Sequence, residues 1–182
     1  EFKSGTSGEL AFDFLAKGDT LKLTYVLDVS DDSSPSASVS PEIEITIVGT
    51  NDTPSIVSGD FSASLVEDSA STLSAEGRIM FSDVDLTDRH TVSVVAVDVV
   101  SDTVQAPSSF LLDALRDHAE SFDLSMSSLS SSTNNYLDWS FTIPDVLVDY
   151  LGVDDDGNPE SLDVVYTIAI TDDSSTPDKT EF

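Results

Sequence analysis

Along Leu21–Val29 the residues Leu21, Leu23, Tyr25, Leu27 and Val29 recur at every second position, which gives an extended strand one apolar face. Glu42–Val48 alternates in the same way, with Ile43, Ile45 and Ile47 on one side. The stretch between them, Asp31–Pro41, is rich in Asp, Ser and Pro, so the two runs predict an antiparallel pair with a long connection. Further strands are expected at Gly59–Val66, Gly77–Phe81, His90–Val97, Ser121–Met126, Tyr136–Thr142 and Leu162–Ile170, most of them bounded by turn residues. Such a succession of short strands favours a β-sandwich. Two segments depart from it: Ser108–Ala119 places Leu111, Leu112, Leu115 and Ala119 at helical spacing behind Pro107 and a Ser cap, and Pro144–Leu151 reads as a turn or two of helix. Both are expected to cover the ends of the sandwich.

The strand pattern repeats itself. Tyr25–Ser34 reads YVLDVSDDSS and Tyr166–Ser175 reads YTIAITDDSS, 141 residues later. Asp13-Phe14-Leu15 matches Asp149-Tyr150-Leu151 at an offset of 136, so the second copy carries a five-residue insertion, within Val153–Pro159. Repetition at a long spacing marks a tandem array. The expected division is residues 1–50 as the last two strands of a preceding repeat, 51–58 as a linker, and 59–182 as a nearly complete repeat. That repeat has no copy of the strand Glu42–Val48. We therefore expect Glu42–Val48 to complete the sandwich, either folding back within the chain or passing head to tail between molecules.

Seven Lys plus Arg against 35 Asp plus Glu give a formal charge of −28. That charge excludes nucleic acid and anionic membrane surfaces as electrostatic partners and makes divalent cations the natural counter-charge, although a solvated acidic surface has the same composition. There is no cysteine to staple the fold, and no apolar run approaches a membrane span. Catalytic chemistry has little to build on. Two histidines, no Gly-x-Ser-x-Gly elbow and no phosphate-cradling glycine loop leave no nucleophile and base, so the chain reads as a non-enzyme. His90 and His118 are expected to be structural or exposed, and Trp139 to share a buried face with Leu137 and Phe141.

Ile45-Thr46-Ile47-Val48-Gly49-Thr50-Asn51-Asp52-Thr53-Pro54-Ser55-Ile56 resembles the strand and linker that join successive units in bacterial VCBS and cadherin-like repeats. Ala11–Tyr25, Val66-Glu67-Asp68 and Phe81–Val92 look like other parts of the same unit. The resemblance covers about a third of the chain. It implies an all-β, Ig-like or cadherin-like antiparallel Greek-key sandwich with one or two short helical inserts, found in large secreted bacterial adhesins at the cell surface, with calcium at or near the linkers. Neighbouring repeats of the same protein would be its partners, with a glycan or a host or cell-surface protein beyond them, and no direct membrane insertion.

Calcium takes six to eight oxygens in flexible geometry. Asn51 and Asp52 supply oxygens at the unit boundary, and Asp83-x-Asp85 lies on a turn that returns to that boundary if the intervening strands are antiparallel, with Asp88 as a further ligand. The resemblance to cadherin linkers implies that these residues share ions, and that Glu67 serves the following linker. The competing reading has them cap turns through backbone N–H groups. Asp154-x-Asp156-x-Asn158 has the opening spacing of an EF-hand loop, but Pro159 stands in place of the required Gly and Val165 in place of the bidentate Glu, which leaves a looser calcium loop helped by Glu160 or a solvated turn. Asp31-Asp32 and Asp172-Asp173 follow the two copies of the Tyr strand and read as a shared turn, with ion binding as the lesser alternative. Two functions are carried forward: a calcium-stiffened extender of an adhesin used in adhesion and biofilm formation, and a calcium-dependent carbohydrate- or protein-binding adhesin module.

Overall fold

The computed structural model describes residues 12–103, 105–117, 121–126, 135–173 and 179–181. Its strands are β1 (Thr20–Val26), β2 (Val29–Ser30), β3 (Ser38–Val39), β4 (Glu42–Val48), β5 (Ser55–Gly59), β6 (Thr72–Ser82), β7 (His90–Asp102), β8 (Phe122–Met126), β9 (Asn135–Pro144), β10 (Ser161–Asp172) and β11 (Lys179–Glu181). Helix α1 (Ser109–Arg116) and a short 3₁₀ turn at Asp145–Leu147 accompany them among the described residues. The fold is an all-β sandwich of antiparallel strands.

One sheet runs in the order β5-β6-β9-β8 and the other in the order β11-β10-β7. The chain crosses from the first sheet to the second after β6, returns through α1 to β8, and crosses again after β9, which is a Greek-key path. Alternation explains the interior: Ile79 from β6, Leu137 and Trp139 from β9 and Phe122 from β8 pack against Ile168 from β10, with Val92, Val94 and Tyr166 beside them. Leu111 and Leu115 of α1 close one end, buried with Leu73, Ile143 and Val148. Ser108 caps this helix, its Oγ accepting from Leu111 N at 3.1 Å, as expected from sequence.

Trp139 lies inside, 8% exposed, with its Nε1 donating to Asp60 O at 2.8 Å. The indole occupies the space above Gly77, where a Cβ would come within 2.6 Å of the ring. The missing side chain at Gly77 is what lets the largest aromatic in the core lie flat across the neighbouring strand.

The strand expected at Gly59–Val66 falls earlier, at Ser55–Gly59, all but its last residue in the segment read as linker. Asp60 ends it: its N donates to Arg78 O at 2.9 Å and its carboxylate accepts from Arg78 N at 3.1 Å, so its polar groups are satisfied as a turn and the following Phe61, Leu65 and Val66 stay exposed. Pro144–Leu151 is shorter in helix than expected, a single 3₁₀ turn followed by turns. Residues 127–134, the middle of the Ser-rich stretch, and His118 lie outside the described residues.

Ahead of the sandwich β1 and β4 form a separate two-stranded antiparallel ribbon, from Thr20↔Val48 to Val26↔Glu42. Strand β4 therefore does not fold back onto the second unit. Its Ile43 and Ile45 are 48% and 44% exposed, because among the described residues no second sheet covers the ribbon.

Candidate metal centre

The two units meet at an acidic junction. Gly49 passes so close to Leu15 and Ala16 that a Cβ would lie 2.2 Å from a carbonyl oxygen, and its N donates to Asp19 O at 2.9 Å. From the same upstream segment, Phe14 O accepts from Leu86 N at 3.2 Å and the Asp19 carboxylate accepts from Thr87 Oγ1 at 3.0 Å. These bonds hold residues 12–19 against the loop 83–88.

That loop carries Asp83, Asp85 and Asp88, three of the residues expected to bind metal, and buries them beside Asn51 and Asp52 of the linker, although no three of the junction's carboxylates bring oxygens within 4.8 Å of one another. Asp83 and Asp85 are each 2% exposed and Asp88 is 7% exposed. Asp85 Oδ2 accepts from Asp52 N at 2.8 Å, joining linker to loop across 33 residues. Asp83 Oδ1 accepts from Asp85 N at 3.0 Å, while His90 Nε2 lies 2.9 Å from Asp83 Oδ2. Asn51 Nδ2 donates to Asp172 Oδ2 at 3.0 Å, which ties the linker to the end of β10. Turn capping therefore accounts for part of this constellation and leaves the rest open.

Asp85 Oδ1 and Asp88 Oδ2 are buried oxygens that face no hydrogen-bond donor. A buried acceptor without a donor is costly, and a buried carboxylate more so, unless a cation supplies the missing charge. The electrostatics agree. Burial, then the charges of Asp85, Asp83, Asp172 and Asp173, push the Asp88 carboxyl up to about 6. Burial also raises Asp85, against the bond from Asp52 N, and raises Asp52, which lies in the field of Asp13 and Asp83.

Asp172 is the residue that sequence reasoning underweighted. It was read as half of a turn shared with Asp31, yet it is 3% exposed and part of the junction. Its copy Asp31 sits in the open, accepting from Ser33 and Ala37, which hold its carboxyl below the ordinary range. The phrase begins alike in both copies, and Asp172 has a loop of acids beside it that Asp31 lacks. His90, expected to be structural or exposed, is structural in a specific sense: it is inside, against Asp83 and edge-on to Phe81.

The loop at Asp154, Asp156 and Asn158 does not gather carboxylates. Asp154 Oδ1 accepts from Asp156 N at 2.9 Å and Asn158 N at 2.8 Å, and its Oδ2 accepts from Asn158 Nδ2 at 3.0 Å. Those bonds lower its carboxyl, that from the Asn158 side chain most. Donors already converge where a cation would need oxygens, so this is a self-capped turn with Gly157 at φ +81°.

A second acidic group stands at the opposite pole. Asp68, Asp145 and Asp149 each present a carboxylate oxygen, all within 4.8 Å of one another, and could hold a metal ion. Asp68 N donates to Asp145 Oδ1 at 3.0 Å, with Asp68 at φ 59°. Neighbouring Glu67 is raised by burial and by the charges of Asp68, Asp145, Asp149 and Glu160. Sequence reasoning named Glu67 but missed the three aspartates. The signal was present: Asp149 is the copy of Asp13, whose charge acts on Asp52 at the junction.

A scan against protein-family models and a search of curated proteins both return no match for the chain. Among the described residues no helix is long and apolar enough to cross a membrane.

Proposed function

We propose that this chain is a calcium-stiffened β-sandwich extender repeat of a bacterial cell-surface adhesin, a non-enzymatic spacer that acts in adhesion and biofilm formation outside the cell. The observation that carries the reading is the pair of buried carboxylate oxygens, Asp85 Oδ1 and Asp88 Oδ2, facing no donor at the junction of two units. Asn51, Asp52, Asp83, Asp85, Asp88 and Asp172 are hard oxygen ligands, the chemistry calcium selects. An ion held by these residues would neutralise facing charges and tie the linker to the loop, making a hinge into a rod. The far pole repeats the logic, with Asp149 standing in its unit where Asp13 stands in the preceding one. The resemblance of the linker phrase to VCBS and cadherin-like repeats supports the same reading.

Calcium titration followed by calorimetry and small-angle scattering tests this. Calcium should raise the melting temperature, and chelation should shorten the mean end-to-end distance. Magnesium, which demands near-ideal octahedral geometry, should be weaker. Identical melting and identical scattering with and without calcium would sink the proposal.

A further inference from the structure

We propose that Asn135 supplies a neutral oxygen to the junction cation from inside the sandwich, a ligand that neither the linker nor the acid loop carries. The inference rests on the reading of that junction as a calcium site. It adds that the ion is held against the end of the core.

Strand alternation places the residue. Strand β9 sends Leu137 and Trp139 into the sandwich, and Asn135 has the same parity and is 2% exposed. On the ladder between β6 and β9 it stands opposite Phe81, as Leu137 stands opposite Ile79. Phe81 comes two residues before Asp83, and its ring packs edge-on to His90 with 5.1 Å between centroids. His90 in turn lies 2.9 Å from Asp83 Oδ2 and is opposite Asp172 on the ladder between β7 and β10. Phe81 and Asn135 from one sheet and His90 and Asp172 from the other therefore form the last interior layer, and the loop 83–88 passes between the sheets at that end.

The next layers inward are apolar, built from Ile79, Leu137, Ile168 and their neighbours. An amide in the last layer needs a reason, because a leucine would fill the same space at no cost in lost hydrogen bonds. Asn135 Oδ1 is a buried oxygen that meets no donor, as are Asp85 Oδ1 and Asp88 Oδ2. Leaving a buried acceptor unmet is costly, and oxygens of this kind gathered at one end of one sandwich share a remedy in a cation.

The carboxylates by themselves do not close a site. No three at the junction bring oxygens within 4.8 Å of one another, and several of their oxygens are engaged: Asp83 with Asp85 N and His90, Asp85 Oδ2 with Asp52 N. Calcium accepts amide carbonyls among its six to eight ligands. A neutral oxygen adds a ligand without adding to the repulsion among Asp83, Asp85, Asp88 and Asp172. Strand β9 is also an inner strand, between β6 and β8, so an ion held by Asn135 ties the linker to the framework of the second unit.

Calorimetric titration of calcium into the full-length parent, Asn135→Leu and Asn135→Asp at pH 7.5 tests this, with melting of each in chelator. Leu keeps the volume and removes the oxygen. Its calcium affinity should fall at least about tenfold, the cost of losing even an outer partner of a ligand, while its melting temperature in chelator equals or exceeds the parent's. Asp keeps an oxygen and adds charge, so that variant should melt lower in chelator yet bind calcium at least as tightly as the parent. Equal weakening in both variants overturns the inference and makes Asn135 a structural side chain; parent-like affinity in both overturns it by placing Asn135 outside the site. Should the Leu variant not fold, the Asp variant decides, and lower affinity there counts against the inference. Asp85→Asn separates the two readings: if it weakens calcium binding and the Asn135 variants do not, Asn135 alone is excluded, whereas a parent that binds no calcium overturns both.

Discussion

Replacing Asp88 by Asn separates a metal ligand from a turn cap, because the two roles predict opposite signs without metal. Asp88 is 7% exposed, its Oδ2 has no donor, and its carboxyl is raised from 3.8 to about 6. At pH 7.5 the group is ionised in both folded and unfolded chains. A folded-state rise of about two units then costs on the order of 3 kcal/mol, at roughly 1.4 kcal/mol per unit. Asn keeps the shape and removes the charge. In chelator the Asp88→Asn variant should be more stable than the parent by up to about 3 kcal/mol, or roughly 6–12 °C in melting temperature for a chain of this size. In millimolar calcium the order should reverse, because the parent gains the binding free energy and the variant has lost a ligand. Scanning calorimetry of both proteins, in chelator and in calcium, reads the crossing directly. A variant less stable than its parent by the same amount in both conditions would refute the reasoning and reduce Asp88 to a structural side chain.

Acidification should have a related signature in the parent. Asp88, Asp85 and Asp52 all bind protons more tightly folded than unfolded, so the folded state takes up protons first and stability in chelator should rise as pH falls from 7 to 5. With calcium present the same protons compete with the ion, and urea melts should show the calcium-dependent increment shrinking through pH 6. In the core, Gly77→Ala places a Cβ 2.6 Å from the Trp139 ring, so the indole must tilt away from Asp60 O, at a cost of about 1–3 kcal/mol in urea unfolding with an altered tryptophan emission. Tyr166→Phe removes a hydroxyl that donates to Leu115 O at 3.1 Å and lies 3.2 Å from Ser121 Oγ, and should cost about 1 kcal/mol in the same assay while leaving the calcium increment unchanged.

The sandwich was legible because its strands are buried on one face and period two survives in the sequence: Leu137, Trp139 and Phe141 announce β9, and Leu162 to Ile170 announce β10. Gly59–Val66 misled because Phe61, Leu65 and Val66 are apolar yet exposed, and the deciding contact, Asp60 with Arg78, joins residues 18 apart. At the junction, Asn51, Asp52, Asp83, Asp85 and Asp88 could be named from local spacing. Asp172 could not be weighed correctly, since its copy Asp31 has the same neighbours in sequence and a different environment in space. The Asp154 loop failed in the opposite sense: its spacing suits a cation, but the backbone N–H groups of Asp156 and Asn158 turn inward and take the carboxylate first. The difference between the two acidic sites is thus the direction of the donors. Where N–H groups converge on a carboxylate, the charge is settled within the turn. Where carboxylates are buried with oxygens facing no donor, as at Asp85 and Asp88, the turn leaves the charge unbalanced, and either a proton or a cation relieves it.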